Sequence, residues 1–225
     1  PSWSRNVTAL KHAPLSAYLA RAGSSLVFCD SSTRAVPSAL SGTFSYIKNF
    51  LQDQDVAAIV PSSSFLVRRV CKWIDFEEDQ VVVEYGPGNG VFSEFILDRM
   101  TADSTLLLVE SNPDFVEMLE EWTSDDPRAL VVQDRAERIV DILDEHDVDA
   151  VDYIVSGIPF SFFDEGEREE LLARTRDVLA EDGKFLVYQN YNHLEAPLRK
   201  HFSAVTKEYE PRNIPPTMFV YEAQK

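Results

Sequence analysis

From residue 81 onward, short runs of consecutive apolar residues alternate with segments whose apolar positions recur every three or four residues. The apolar runs predict strands at Val81–Tyr85, Thr105–Glu110, Leu130–Gln133, Tyr153–Ser156 and Lys184–Gln189. The periodic segments predict helices at roughly 91–100, 113–123, 136–145 and 166–180. Unbroken apolar strands separated by helices imply a parallel sheet covered on both faces. The fold class is therefore α/β, with a doubly wound, mostly parallel, Rossmann-like sheet. Ser111-Asn112 ahead of Pro113 predicts a helix start, since proline suits a first helical turn. Glu181-Asp182-Gly183 predicts the turn that ends the fourth helix. After residue 190, Phe202–Tyr209 and Met218–Tyr221 read as two strands separated by Pro211, Pro215 and Pro216, which fits a C-terminal antiparallel pair.

Upstream of the sheet, residues 43–75 carry two further helix candidates. TFSYIKNFLQD places Phe44, Ile47, Phe50 and Leu51 on one stripe. FLVRRVCKWID follows Pro61-Ser62-Ser63-Ser64 and sets Arg68 and Lys72 four apart on one face, with Arg69 beside them. Residues 1–42, rich in Ser and Ala, read as a leader in which Leu10, Leu15, Tyr18 and Leu19 allow one short helix. The expected organisation is a leader at 1–42 and one domain at 43–225, made of a helical lid at 43–80 and a core at 81–225.

Composition narrows the class. The 225 residues are 44% hydrophobic, enough for one well-filled core. No apolar run approaches the ~20 residues of a membrane span. Arg5, Lys11, His12 and Arg21 interrupt the N-terminal apolar residues, which argues against a secretory signal. Cys29 and Cys71 form no disulfide framework, and the four histidines show no metal-ligand spacing, so a reduced cytoplasmic protein without a metal is expected. Thirty-eight acidic against 21 basic residues give a formal charge of −17. That balance argues against broad nucleic-acid binding, which needs cations on phosphates. It also opposes an anionic membrane unless basic residues cluster locally.

The chemistry concentrates at VVVEYGPGNG, where an apolar strand runs into Gly86, Gly88 and Gly90 before a helix begins. Glycines there allow positive φ and close approach of a ligand at the carboxyl edge of the sheet. A dinucleotide loop, G-x-G-x-x-G, would need glycine at residue 91, which is Val. G-x-G-x-G with Glu84 two residues ahead instead resembles the first motif of S-adenosylmethionine-dependent methyltransferases. The next strand ends in Glu110, 20 residues beyond Gly90, with Ser111 following. A carboxylate at that tip can accept hydrogen bonds from both ribose hydroxyls of a nucleoside. After the third strand, QDRAE offers Asp134 and Ala136 beside an adenine, although aligning Ala136 with the usual small residue puts Arg135 in the acidic position. The fourth strand runs into Ser156-Gly157-Ile158-Pro159-Phe160, which resembles the polar-x-Pro-aromatic turn of amino-group methyltransferases. That resemblance implies that backbone carbonyls and the polar side chain orient an attacking amine and that Phe160 packs against the substrate.

Together, FLQDQDVAAIVPSSSFLVRRV, VVEYGPGNGVFSEFIL, LLLVESNPDFVEML, DYIVSGIPF, GKFLVYQ and NIPP resemble bacterial phospholipid N-methyltransferases of the phosphatidylethanolamine type. The wider resemblance is to the rRNA adenine dimethyltransferase-like group. It spans about residues 44–221 and implies methyl transfer from S-adenosylmethionine to a lipid amine. Carried over, it makes Tyr46, Glu84, Gly86, Gly88, Gly90, Glu110, Ser111, Asp134 and Ala136 cofactor residues. Ser156 through Phe160 become the acceptor turn. The rRNA enzymes have N-L-P-Y at this turn, so Ser156 and Phe160 depart from adenine methylation. Phe44, Ile47, Phe50, Leu51 and the cations Arg68, Arg69 and Lys72 are candidates for peripheral contact with the inner membrane. The alternatives are RNA or small-molecule N-methylation, and a non-catalytic nucleoside-binding module.

Overall fold

The computed structural model describes residues 62–213 and 217–225, which belong to a compact unit spanning residues 59–225. The leader, the segment TFSYIKNFLQD with Tyr46 that is expected to be helical, and the last three residues of NIPP lie outside the described residues.

Seven strands form one sheet in the order β3-β2-β1-β4-β5-β7-β6. They are β1 (Val81–Tyr85), β2 (Thr105–Glu110), β3 (Ala129–Gln133), β4 (Val151–Ser156), β5 (Leu179–Gln189), β6 (Ala204–Glu210) and β7 (Met218–Gln224). The first five run parallel; β7 inserts antiparallel between β5 and β6. The apolar runs of β1 and β2 are buried almost throughout, because helices cover both faces. On one face, α1 (Ser64–Cys71) and α2 (Val91–Leu97) bury Leu66, Val67, Val70, Phe92 and Ile96 against Val82, Leu106 and Leu108. Leu119 of α3 (Pro113–Thr123) joins the same layer. On the other face, α4 (Ile139–Glu145), α5 (Glu165–Val178) and α6 (Glu195–His201) bury Ile139, Ile142, Leu171, Leu172 and Leu198 against Val83, Ile154 and Phe185.

Local chemistry sets the helix starts. Asn112 caps α3 by accepting the Asp114 amide, and Pro113 occupies the first turn. Asp164 and Glu167 cap α5 reciprocally. Three expectations shift. The expected helix over 136–145 is a 3-10 turn at Ala136–Arg138 followed by α4. The 166–180 helix stops at Val178, because Leu179 already pairs with Val151. The turn around Gly183 then sits inside β5 as an irregularity, and a Cβ at Gly183 would lie 3.0 Å from Ala180 backbone atoms. The short helix α6 was not anticipated: Pro197 masks its pattern, although proline is tolerated in a first turn.

α1 belongs to the segment expected as a lid, yet it packs on the sheet as part of the core. Three ionic contacts fasten it. Arg69 bonds Glu208 at 2.6 Å and the fully buried Glu210 at 2.7 Å, while Lys72 reaches Glu208. Arg212 also grips Glu210 through its backbone amide and its guanidinium. That guanidinium, with Arg69 behind it, outweighs burial and holds the Glu210 pKa down to about 2.

Candidate active site

Among the described residues, those expected at the site gather at the carboxyl edge of the parallel strands. β1 delivers the loop Gly86–Gly90, where Gly86, Gly88 and Gly90 have φ of 65°, 53° and 75°. These values strain any residue with a Cβ. The Gly86 amide donates to the Val109 carbonyl at 2.9 Å, pinning the loop to β2. A Cβ on Gly86 would come 2.7 Å from Ile158 Cγ2, whereas one on Gly88 would meet nothing within 4 Å. The middle of the loop therefore faces open space.

Glu110 ends β2 directly beside that opening. Its Oε2 accepts the Gly88 amide at 3.0 Å and its Oε1 accepts the Asn112 amide at 2.9 Å. Both oxygens are fixed, and each keeps a lone pair for a further donor. Glu84 is buried beneath the loop and accepts the Ser93 hydroxyl of α2 at 2.6 Å. Burial raises its pKa to about 7; the Ser93 bond opposes the rise and the negative charge of Glu110 adds to it. Asp134 lies at the tip of β3, its amide bonded to the Glu110 carbonyl at 3.0 Å. Its carboxylate accepts the Arg135 amide and the Arg138 guanidinium. Ala136 is buried at the start of the following turn, and Ser111 is exposed.

Two strands away, β4 ends in Ser156. Its hydroxyl is fully buried and has no hydrogen-bond partner among the described residues. Gly157 follows in a position only glycine fits, since a Cβ there would lie 2.1 Å from the Tyr188 hydroxyl. Tyr188, on β5, stacks on Phe92 with ring centroids 4.8 Å apart. The Phe160 ring takes a different role from the substrate contact expected of it. It is fully buried, packed edge-on to Phe185 and tilted against Phe163, so it anchors the turn in the core.

Four residues that pattern reading passed over complete this edge. Ser93 holds Glu84, and Gln189 bonds the backbone on both sides of Pro159. Ser62 hydrogen-bonds Tyr188. Asn213 accepts the Ser63 amide at 2.9 Å. Ser62, Ser63, Gly157 and Asn213, distant in sequence, thus meet around Tyr188 and the first turn of α1. A polar side chain closing an apolar strand was the available signal for Gln189; none marked Ser62.

This strand order, with β7 reversed and a glycine loop after β1, is the Rossmann-like fold shared by class I methyltransferases. The residues present fit S-adenosylmethionine. The open side of Gly88 leaves room for a nucleoside, and Glu110 presents acceptors beside it. Matches to known proteins agree. Residues 39–137 match the ribosomal RNA adenine dimethylase family. An ornithine lipid N-methyltransferase from Singulisphaera acidiphila is 32% identical over 176 residues, covering 75% of this chain and 88% of that protein. Among solved structures, the N-methyltransferase NodS from Bradyrhizobium japonicum superposes with a TM-score of 0.58 at 11% identity, covering 80% of this chain and 97% of that one. A spermidine synthase also gives 0.58 at 19% identity, covering 73% of this chain but only 61% of the synthase. The chain belongs to the family of S-adenosylmethionine-dependent N-methyltransferases that includes the ornithine lipid enzyme.

Proposed function

We propose that this enzyme methylates the primary amine of a lipid headgroup. The observation that carries the reading is the buried Ser156 hydroxyl at the end of β4, which has no partner among the described residues. A buried hydroxyl without a partner costs about 1–3 kcal/mol, a cost relieved when a ligand donor arrives. The named activity of the Singulisphaera relative supports a lipid as the carrier of that donor.

S-adenosylmethionine supplies, when bound, a methyl carbon activated by the adjoining sulfonium. Glu84, Gly86, Gly88, Gly90 and Glu110 would hold it, with Ser111, Asp134 and Ala136 toward the adenine. Tyr46 is proposed there only from resemblance. On the acceptor side, the Ser156 oxygen accepts a hydrogen bond from the amine and aims its lone pair. Alignment of this kind is the main contribution of a protein to an in-line transfer. The amine must shed its ammonium proton first, so turnover rises with pH until the neutral amine predominates.

For membrane contact the cations divide. Arg69 pairs with Glu208 and Glu210 and the exposed Lys72 pairs with Glu208, while Arg68 is exposed beside them. Phe65, Phe162 and Tyr191 are exposed on the first turn of α1 and the segments after β4 and β5. These aromatics support peripheral docking by the edge that holds the site. Among the described residues, no helix is long and apolar enough to cross a membrane.

The test is methyl incorporation from S-adenosylmethionine with vesicles of ornithine lipid or phosphatidylethanolamine, ribosomal RNA and soluble amines run in parallel. Methylation confined to vesicles is expected; incorporation only into RNA or soluble amines would overturn the lipid reading. Ser156→Ala should lower kcat about 10- to 100-fold with little change in affinity for the donor, as expected of an interaction made only with the acceptor.

A further inference from the structure

We infer that Gln189 is a positioning residue for methyl transfer, the clamp that holds the acceptor turn in its working shape. This rests on the proposed acceptor role of the turn that begins at Ser156.

The side chain closes β5 and is buried, 4% exposed. Its Nε2 donates to the Ile158 carbonyl at 2.8 Å and to the Tyr188 carbonyl at 2.7 Å, while its Oε1 accepts the Phe160 amide at 3.2 Å. Both amide hydrogens are used, and the oxygen is engaged as well. A flipped amide would aim its oxygen at two carbonyls, so the network fixes the orientation. Pro159 offers no amide of its own, and Gln189 bonds the backbone on either side of it. The turn is therefore tied to β5 by one side chain at two points, one residue before and one after the proline.

No other residue type reproduces this. Glu keeps the acceptor for the Phe160 amide but loses both donors and faces two carbonyl oxygens. Met fills the volume and bonds neither. Asn is one methylene too short to span from β5 to the turn. The clamp closes β5, three strands from Glu110 on β2, so its loss should reach the acceptor turn and spare the donor loop.

Full-length wild type, Gln189→Met and Gln189→Glu test this in two arms. The first is amide hydrogen exchange of peptides covering residues 157–163, which needs no turnover. The Phe160 amide should exchange at least about tenfold faster in Gln189→Met, as a buried bond worth about 1.4 kcal/mol predicts. The second arm compares kcat, with whichever acceptor the wild type methylates, against the dissociation constant of S-adenosylhomocysteine. Expected is a kcat loss of about tenfold or more, with nucleoside affinity within about twofold of wild type. In Gln189→Glu, the kcat ratio to wild type should recover as pH falls, because the protonated acid regains one donor. A general packing defect would give no such recovery.

Unchanged Phe160 exchange would overturn the clamp. A kcat loss matched by lost nucleoside affinity, without recovery at low pH, would reduce Gln189 to a packing residue. If Gln189→Met does not fold, Gln189→Leu, which also bonds neither side of the proline, takes its place in the exchange arm while Gln189→Glu carries the kcat arm. Should wild type methylate no lipid amine, the lipid reading fails while the exchange arm still decides the clamp.

Discussion

Replacing Glu84 with Gln probes the least comfortable group in the fold. The carboxyl is buried under the glycine loop, its oxygen bonded to Ser93 at 2.6 Å, and burial holds its pKa at about 7 against 4.5 as the ordinary value. A raised acid pKa means that the folded chain binds more protons than the unfolded chain between these limits. Stability from this group is therefore complete below about pH 4.5 and declines as pH rises to about 7, after which it is level. The full gap is worth about 3 kcal/mol, and about 2 kcal/mol of it falls between about pH 5.5 and 8.5. Glutamine cannot ionise and still accepts the Ser93 hydroxyl. Urea unfolding of ligand-free wild type and Glu84→Gln across that range should give curves that converge on the acid side. The variant should gain about 2 kcal/mol relative to wild type by pH 8.5. Parallel curves would show that Glu84 ionises as an exposed carboxyl does, and the account of its burial would be wrong.

Other perturbations separate the two halves of the site. Glu110→Gln should weaken S-adenosylhomocysteine binding about tenfold by calorimetry while leaving the fold intact, because charge-assisted bonds to hydroxyls are lost. Gly157→Ala should destabilise by about 1–3 kcal/mol in thermal or urea unfolding, since its methyl would enter the Tyr188 ring; trimming Tyr188 to Ala should recover part of that loss in a double-mutant cycle. Glu210→Gln strips the carboxylate from Arg69 and Arg212 and should cost about 3 kcal/mol at neutral pH, as expected for a broken buried pair. With the Glu210 pKa near about 2, the wild-type advantage is present above about pH 4.5 and fades as pH falls toward 2. Acid-titrated unfolding of the pair checks it.

The proposed donor side is legible in the sequence because its signals are local. β1, the glycines and Glu110 lie within about 30 consecutive residues, and each signal follows from its own stretch of chain: burial on both faces, φ, and a strand-end carboxylate. The acceptor side was legible only as SGIPF. Its supports sit on other elements, and nothing near Gln189, Tyr188 or Ser62 in sequence says which backbone each will meet. Phe160 shows the same limit in reverse, since an aromatic after proline serves a substrate or a core equally well until its neighbours are known. The paired cations of α1 make a third case. Arg69 and Lys72 resemble a headgroup patch along the helix, but their partners Glu208 and Glu210 lie about 140 residues later on β6.

The two halves are not independent, and one contact joins them. Gly86 of the donor loop and Ile158 of the acceptor turn lie so close that a single Cβ would stand 2.7 Å from the Ile158 methyl. Gly86 also has positive φ, so its lack of a side chain serves both the turn and the approach of the two loops. In-line transfer is sensitive to displacements of about 1 Å, which can cost about 100-fold in rate. The distance between donor and acceptor is then set from two sides: by Gln189, which fixes where Ile158 sits, and by Gly86, which lets the donor loop come up against it. Alanine at Gly86 should accordingly impair turnover even with saturating donor, beyond any loss of donor affinity. The reason is that pushing Ile158 away disturbs the turn that aims the amine.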